Sequence, residues 1–312
     1  MDAIETRGLT KEYKKFFSFS KNRALDGLDL NVPTGSVFGF LGLNGAGKTT
    51  TIKLLLGLAY PTSGEGSLLG RPLGDVKAKE KIGFLPEEAY FQRHLTATEF
   101  LNFCARTLHM DAALRKSRVQ EMLELVTLTE KAHTKLLHFS KGMLQRIGVA
   151  QALLNDPDLV IFDEPLTGLD PKGRMQLKDI MISLQRRGKT VFYSSHILSD
   201  VQAISDRVAI LNRGQLIFQG EMSDLLEVDS VDISLEQVPA SHLECLEKMA
   251  DGFSKNGAHW VFSVKNEAKK QEMLAYLQKN KLKLAGESII YKELEPVFLE
   301  KIEKNSKERG LI

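Results

Sequence analysis

The sequence predicts an α/β protein with a mainly parallel sheet, an inserted helical subdomain and a small C-terminal α+β domain. Over residues 1–220, short apolar runs typical of buried strands alternate with segments typical of helices, which is the order of a parallel sheet covered by helices. Residues 88–151 are helical in pattern with few strand candidates, and the composition shifts after Gly220. We therefore predict one domain over residues 1–220, with a helical subdomain at about 88–151, and an accessory domain over residues 221–312.

The elements of the first domain follow from apolar runs bounded by turn-forming or charged residues. The predicted elements are strands at 37–41, 159–162 and 190–194, helices at 49–58 and 174–187, and a hairpin of 208–212 with 215–219. Arg213 and Gly214, between the two hairpin strands, form a turn signal.

The accessory domain shows its own strand and helix patterns. These are strands at 231–235, 259–264 and 288–291, and helices at 241–250, 267–279 and 294–304. The βαβαβα order indicates a small α+β domain, with a ferredoxin-like topology as the candidate. The polar tail Lys304–Arg309 is predicted to fray. The region carries no phosphate loop, metal-ligand cluster or catalytic constellation in its sequence. We predict a regulatory or dimer-supporting role; binding of a substrate or second partner is the alternative.

Composition narrows the class of protein. The net charge is only +2, so no nucleic-acid partner is expected. Cys104 and Cys245 lie far apart in apolar helical patterns, which favours free, buried thiols over a disulfide or a metal pair. We expect no signal peptide, and no run approaches the roughly 18 apolar residues that a membrane span needs. Any membrane role is therefore expected to depend on a partner chain.

A phosphate-binding loop follows the strand at 37–41 and precedes a helix. It matches the pattern G-x-x-x-x-G-K-[ST] with Gly42, Leu43, Asn44, Gly45, Ala46, Gly47, Lys48 and Thr49, and Thr50 follows it. Glycines let successive N–H groups point at phosphates, and the helix N-terminus adds a partial positive charge. Lys48 supplies a cation for the β- and γ-phosphates, and the Thr49 hydroxyl can ligate Mg²⁺. A ligand-free turn is the alternative, and the motif is shared by kinases, GTPases, ATPases and helicases.

Two carboxylates follow the buried strand at 159–162. Asp163 at this strand end can hold hydrated Mg²⁺, because ligands of open α/β sheets bind at the carboxyl edge. Glu164 can polarise a water for in-line attack on a γ-phosphate. A solvated strand end with two ordinary acids is the alternative.

Three further motifs narrow the class of phosphate-loop protein. They are FSKGMLQR at 139–146, PLTGLDP at 165–171 and YSSH at 193–196. Their order and spacing around the phosphate loop resemble the ATPase domain of ABC transporters over roughly residues 1–220. The resemblance implies a P-loop NTPase fold of the ABC ATPase type, ATP and Mg²⁺ as cofactors, and ATP hydrolysis as the activity.

The motif at 139–146 resembles the ABC signature, which implies that Ser140 and Gly142 bind the γ-phosphate held by the other subunit. A serine at a helix start offers a hydroxyl and free N–H groups to an anion. Lys141 and Met143 depart from the usual Leu-Ser-Gly-Gly-Gln, as do Phe139 and, further along, Gln151. An ordinary helix cap is the alternative.

Four more residues take roles from the same resemblance. His196 is similar to the switch histidine that contacts the γ-phosphate, and Asp170 to a residue that reaches across a dimer interface. Glu87 takes the place of a glutamine that senses the nucleotide and touches Mg²⁺. Tyr13 resembles the aromatic that stacks on adenine, and such stacking contributes on the order of 1–3 kcal/mol. A structural histidine and a core tyrosine are the alternatives.

The stretch 86–103 and the C-terminal ending resemble single-domain ATPases of drug, polysaccharide and lipid-like exporters. This implies a homodimer or heterodimer of ATPase subunits, peripheral at the cytoplasmic face of the membrane, with a separate polytopic permease subunit. A soluble ABC ATPase acting on a non-transport partner is the alternative, although the chain has neither a second ATPase half nor a long coiled coil. A non-hydrolysing adaptor is disfavoured by Glu164 and His196. The segment 14–23, which mixes aromatics and cations, could contact a membrane or partner, or form a mobile hairpin tip.

Overall fold

The computed structural model describes residues 2–14, 21–226, 228–256, 259–292 and 294–308. The chain folds into two compact units. The first unit is Met1–Met222 together with Phe298–Ile312, and the second unit is Ser223–Val297. The accessory domain was predicted to run to residue 312, whereas the chain from Phe298 groups with the first unit. Residues 15–20, the centre of the aromatic and basic segment, lie outside the described residues.

The first unit holds a central sheet, a smaller antiparallel sheet and a set of helices. Its strands are β1 (Asp2–Lys14), β2 (Lys21–Pro33), β3 (Val37–Leu41), β4 (Ser63–Leu68), β5 (Arg71–Pro72), β6 (Ile82–Leu85), β7 (Leu159–Phe162), β8 (Thr190–Ser195), β9 (Arg207–Asn212) and β10 (Gln215–Glu221). Its helices are α1 (Lys48–Leu55), α2 (Val76–Lys79), α3 (Ala97–Thr107), α4 (Ala112–Leu125), α5 (Lys141–Leu153), α6 (Pro171–Arg186) and α7 (Leu198–Ile204).

The central sheet has the strand order β10-β9-β3-β8-β7-β6. Adjacent strands run parallel, except that β10 is antiparallel to β9. Every residue of β3, β7 and β8 is buried, as expected for strands covered on both faces. In the register, Leu41 pairs with Ser195 and Phe162 with Tyr193. The carboxyl ends of β3, β7 and β8 therefore meet at one edge of the sheet.

The antiparallel sheet, β2-β1-β4-β5, contributes the rest of the main core. Leu9, Leu28 and Leu30 of its long hairpin join Phe38, Phe40 and Ile52 in one buried cluster. The hairpin carries Tyr13 near its end, opposite Asn22.

In the first unit, the end of α1 and the start of α6 each differ from the sequence prediction by three residues, for identifiable reasons. Helix α1 ends at Leu55 rather than at residue 58, because Gly57 adopts the left-handed conformation with φ 64° that commonly ends helices. Helix α6 begins at Pro171 rather than at residue 174, because the Asp170 side chain caps it by accepting from the Gly173 N–H.

The second unit is a four-stranded antiparallel sheet with two helices. Its elements are β11 (Val228–Leu235), α9 (Ala240–Met249), β12 (Gly252–Asn256), β13 (His259–Val264), α10 (Glu267–Lys279) and β14 (Leu284–Tyr291), after the short α8 (Met222–Leu225). The strand order β12-β13-β11-β14 is that of a ferredoxin-like split βαβ motif. Strand β12 was not predicted, because its sequence GFSKN carries one apolar side chain, Phe253, which is 51% exposed.

The last element that the structure describes is helix α11 (Leu294–Glu308). This helix was predicted to end at Lys304 in a frayed tail, but it continues to Glu308, and Ser306 is buried. Among the helices that the structure describes, none is both long and apolar enough to cross a bilayer.

Candidate active site

The phosphate loop runs from the end of β3 into the N-terminus of α1 and packs closely against neighbouring chain. Gly47 caps α1 with φ 111°, and a Cβ there would lie 2.5 Å from the Ala24 carbonyl oxygen. A Cβ on Gly42 would lie 2.6 Å from the carbonyl oxygen of Leu211. Both positions need glycine, one for its backbone angle and both for the close approach. The loop is therefore held by β9 and by the start of β2.

Lys48 occupies the centre of the loop and is buried, at 6% exposed. Its ammonium donates to the Gly42 carbonyl at 2.7 Å and lies 3.1 Å from Glu164 Oε1. The lysine thus closes its own loop and reaches the strand end where the carboxylates lie. An anionic ligand in the loop would compete with Glu164 for this cation.

The Ser194 hydroxyl, at the end of β8, connects the Asp163 carboxylate to the backbone of Glu164. It donates to Asp163 Oδ1 at 2.6 Å and accepts from the Glu164 backbone N–H at 2.9 Å. Burial raises the pKa of Asp163 above its ordinary range, while hydrogen bonds from Ser194 and Thr49 oppose that rise. Ser194 was not among the predicted site residues, although it lies two positions before His196.

Glu164 is held by several contacts at once. Its Oε2 lies 2.8 Å from His196 Nδ1 and accepts from the Thr167 hydroxyl at 3.3 Å. Its backbone adopts φ 49°, a left-handed conformation that side-chain-bearing residues rarely adopt and that persists only where surrounding contacts impose it. Lys48, Glu164 and His196 therefore form one chain of contacts at the carboxyl edge of the central sheet.

A cleft of about 710 Å³ opens over the phosphate loop. It is lined by Tyr13, Asn22, Arg23, Ala24, Leu43, Asn44, Gly45, Ala46, Gly47, Lys48, Thr49, Thr50, Glu87, Glu164 and Arg213. Tyr13 is 40% exposed at the rim, so the alternative of a core tyrosine does not hold. The sequence analysis did not predict four of these lining residues, namely Asn22, Arg23, Ala24 and Arg213. For Arg213, the turn signal that it forms with Gly214 was the one indication.

The residues predicted to act on a second subunit do not line this cleft. Ser140 is exposed and caps α5, where its hydroxyl accepts from the Met143 N–H at 3.3 Å. The Lys141 side chain lies across Gly168: a Cβ on that glycine would come within 2.3 Å of the lysine Nζ. A Cβ on Gly142 would meet only Leu169, at 3.5 Å. The predicted signature thus lies against the segment that leads to Asp170, and Lys141 fills the space over Gly168.

Replacing Ser194 by alanine tests the connection between the Asp163 carboxylate and the Glu164 backbone. We expect Ser194→Ala to lower ATPase turnover by about tenfold or more and the free energy of unfolding by about 1–3 kcal/mol, because a buried donor and acceptor lose their partner. Phosphate release and urea denaturation measure the two effects. Ser195→Ala is the matched control; an equal loss of turnover in both variants would contradict a specific role for Ser194.

Comparisons with known proteins concern the family and the fold. The family described as ABC transporter matches residues 25–167. An uncharacterized ABC transporter ATP-binding protein of Synechocystis is 46% identical over 73% of this chain and 65% of its own length. The bacitracin transport ATP-binding protein of Bacillus licheniformis is 38% identical over 77% of this chain and 71% of its own. The chain thus spans just under two thirds of the Synechocystis relative.

Two further comparisons concern export and structure. The Nod factor export ATP-binding protein I of Burkholderia orbicola is 36% identical over 72% of each chain. A dimeric ATP-binding cassette in a post-hydrolysis state, bound to ADP and Pi, superposes with a TM-score of 0.64 at 26% identity, over 70% of this chain and 98% of that one.

Proposed function

Because this chain belongs to the family of ABC transporter ATP-binding proteins, we propose that it is the ATP-hydrolysing subunit of an exporter. The observation that carries the proposal is the contact chain at the sheet edge. Glu164 lies 3.1 Å from the Lys48 ammonium and 2.8 Å from His196 Nδ1. A carboxylate between the phosphate-loop lysine and a histidine is suitably placed to accept a proton next to a bound γ-phosphate.

The chain's own residues supply the parts of a phosphoryl transfer. The phosphates lie in the loop, where Lys48 exchanges its contact with Glu164 for the β- and γ-phosphates, and the base stacks on Tyr13. Glu164, released from the lysine, accepts a proton from the attacking water. At the same time the oxygen of that water bonds to the γ-phosphorus. The bond from that phosphorus to the β–γ bridging oxygen breaks, and ADP and phosphate result. His196 orients Glu164 and contacts the γ-phosphate.

The residues present fit Mg²⁺ as the accompanying ion. No group of three or more His, Cys, Asp or Glu side chains suited to a metal occurs among the described residues. Thr49 nevertheless lies close enough to Asp163, beside the phosphate loop, to lower the pKa of that carboxyl against the effect of its burial. A hydroxyl and a carboxylate suffice, because Mg²⁺ takes its remaining ligands from substrate phosphates and water. Thr49 and Asp163 would hold the ion, with Glu87 at the cleft wall, and the ion would neutralise charge on the phosphates.

The working assembly is a dimer of ATPase subunits with a separate polytopic permease, peripheral at the cytoplasmic face of a membrane. The support is that Ser140, Gly142 and Asp170 lie outside the cleft of their own chain, and that relatives are named for bacitracin transport and Nod factor export. The second unit, Ser223–Val297, takes a regulatory or dimer-supporting role.

The dimer is tested with a variant that retains ATP. We expect Glu164→Gln to elute as a dimer in ATP and as a monomer in ADP, because the γ-phosphate bridges one subunit's loop and the other's Ser140 cap. Gly142→Asp in the same protein is the matched control. The position has room for a Cβ, so the protein should fold, and the added carboxylate should repel the phosphate and keep it monomeric. A Glu164→Gln protein that stays monomeric at saturating, demonstrated ATP binding would contradict the proposal.

A further inference from the structure

The last helix returns to the nucleotide-binding unit and presents one face to it. From Phe298, the residues that are buried or partly buried are Phe298, Lys301, Ile302, Asn305 and Ser306, and the residues between them are exposed. Their spacing of i, i+3, i+4, i+7 and i+8 places them on one side of a helix. The Lys301 ammonium lies 4.8 Å from the centre of the Phe218 ring on β10. The helix therefore packs against the β9–β10 hairpin through a defined face.

Asn305 on this face makes a specific polar contact. Its Oδ1 accepts a hydrogen bond of 2.9 Å from Nδ2 of Asn212, the last residue of β9. Asn212 is buried, at 5% exposed. Loss of the partner of a buried amide lowers the stability of the folded protein, because no water replaces the hydrogen bond. The helix thus fixes the side chain that precedes the hairpin turn.

The hairpin turn itself is bonded to the phosphate loop. Arg213 and Gly214 both adopt left-handed backbones, with φ 45° and 82°, as a two-residue type I′ turn requires. The Gly214 N–H donates to the Ala46 carbonyl at 2.8 Å. A contact path therefore runs from Asn305 through Asn212 and the turn to Ala46 in the phosphate loop.

Arg213 lines the cleft from this turn, and its guanidinium has no hydrogen-bond or ion-pair partner among the residues that the structure describes. The other two cations of the cleft are engaged. Lys48 pairs with Glu164, and Arg23 pairs with Glu12 and Asp26. Among the described residues of the cleft, Arg213 is therefore the cation without a protein partner. Its backbone is left-handed, a conformation that arginine adopts only under constraint.

We propose that Arg213 is a nucleotide-binding cation and that Asn305 of the last helix is its positioning residue. The inference rests on the proposed function, since it assigns an additional contact and its support to the same ATP site. The ligand chemistry is a polyphosphate nucleotide, whose charge the guanidinium complements. The last helix then supports the nucleotide site from outside the cleft, although Asn305 lies 92 residues after Arg213 in sequence.

The test uses the full chain and measures the Kd for ATP by calorimetry at two salt concentrations. Arg213→Asn removes the charge and keeps a residue that tolerates the left-handed turn. We expect it to raise the Kd by about tenfold, as for a lost charge-assisted contact, and to reduce the salt dependence of binding. Arg213→Lys should recover most of the affinity. An Arg213→Asn protein with unchanged Kd and salt dependence would overturn the assignment.

The positioning role is tested by a double-variant comparison. Asn305→Ala should raise the Kd by about threefold, and adding it to Arg213→Asn should raise the Kd no further, because the helix acts through the arginine. Asn305→Asp keeps an oxygen that can accept from Asn212, so we expect it to bind ATP with the Kd of the wild type. If Asn305→Ala acted only by destabilising the helix, the aspartate would not restore this Kd. Lys304→Ala, on the exposed side of the helix, is the matched control. Fully additive effects of Asn305→Ala and Arg213→Asn, in proteins with native melting temperatures, would overturn the positioning role.

Failure of this inference is distinguishable from failure of the proposed function. If the wild-type chain binds ATP and Lys48→Ala weakens binding while Arg213→Asn does not, only the new assignment fails. If the wild-type chain does not bind ATP, the proposed function fails, and the inference fails with it.

Discussion

Glu164→Gln is expected to lower the turnover number for ATP hydrolysis by about 10²–10⁴-fold while ATP still binds. Glutamine has the shape of glutamate and can still contact Thr167 and His196, but it cannot accept a proton from water. The variant also removes a negative charge 3.1 Å from the Lys48 ammonium, so the lysine is freer to meet the phosphates. Phosphate release at saturating ATP measures turnover, and calorimetry measures binding.

The control for this prediction is Glu88→Gln, which removes the same charge from an exposed glutamate that does not line the cleft. It should hydrolyse ATP as the wild type does. A Glu164→Gln protein that hydrolyses ATP at the normal rate would show that another group is the base.

Lys48→Ala is expected to weaken ATP binding by about 10–100-fold, the usual effect of losing hydrogen bonds to a charged group. The buried ammonium is the cation at the base of the phosphate loop. Its removal also leaves the Glu164 carboxylate, itself 6% exposed, without a neutralising partner beside the phosphates. Both effects act against an anionic ligand, and the Kd for ATP measures their sum.

Lys53→Ala is the matched control, because Lys53 lies one turn further along the same helix and is exposed. It removes the same charge without touching the loop. If both alanine variants weakened binding equally, general electrostatic attraction rather than the loop contact would explain the affinity.

Local patterns predicted the parts of the site that lie in continuous sequence. The phosphate loop and the acidic strand end each combine a buried strand with a polar segment directly after it, so the strand pattern and the chemistry occur together. The parallel register then brings β3, β7 and β8 to one edge, which the rules of α/β sheets anticipate.

Contacts between distant segments could not be predicted in this way. Ser194 connects the Asp163 carboxylate to the Glu164 backbone just after the neighbouring strand β7. A serine at a strand end has no pattern of its own that indicates such a contact. Lys141 departs from the signature, and its fit over Gly168 becomes visible only once both loops are folded. The tail Lys304–Arg309 was predicted to fray because it is polar, whereas Asn305 accepts a hydrogen bond from Asn212 and Ser306 is buried.

The left-handed backbone of Glu164 has a consequence for how this protein can evolve or be engineered. Glycine would relax the conformation and asparagine would tolerate it better, so at this position heat resistance and catalysis favour different residues. Selection for thermal stability alone would tend to remove the proposed base, and only selection for activity would keep it. Thermostabilised versions of this enzyme should therefore be sought through changes elsewhere in the chain.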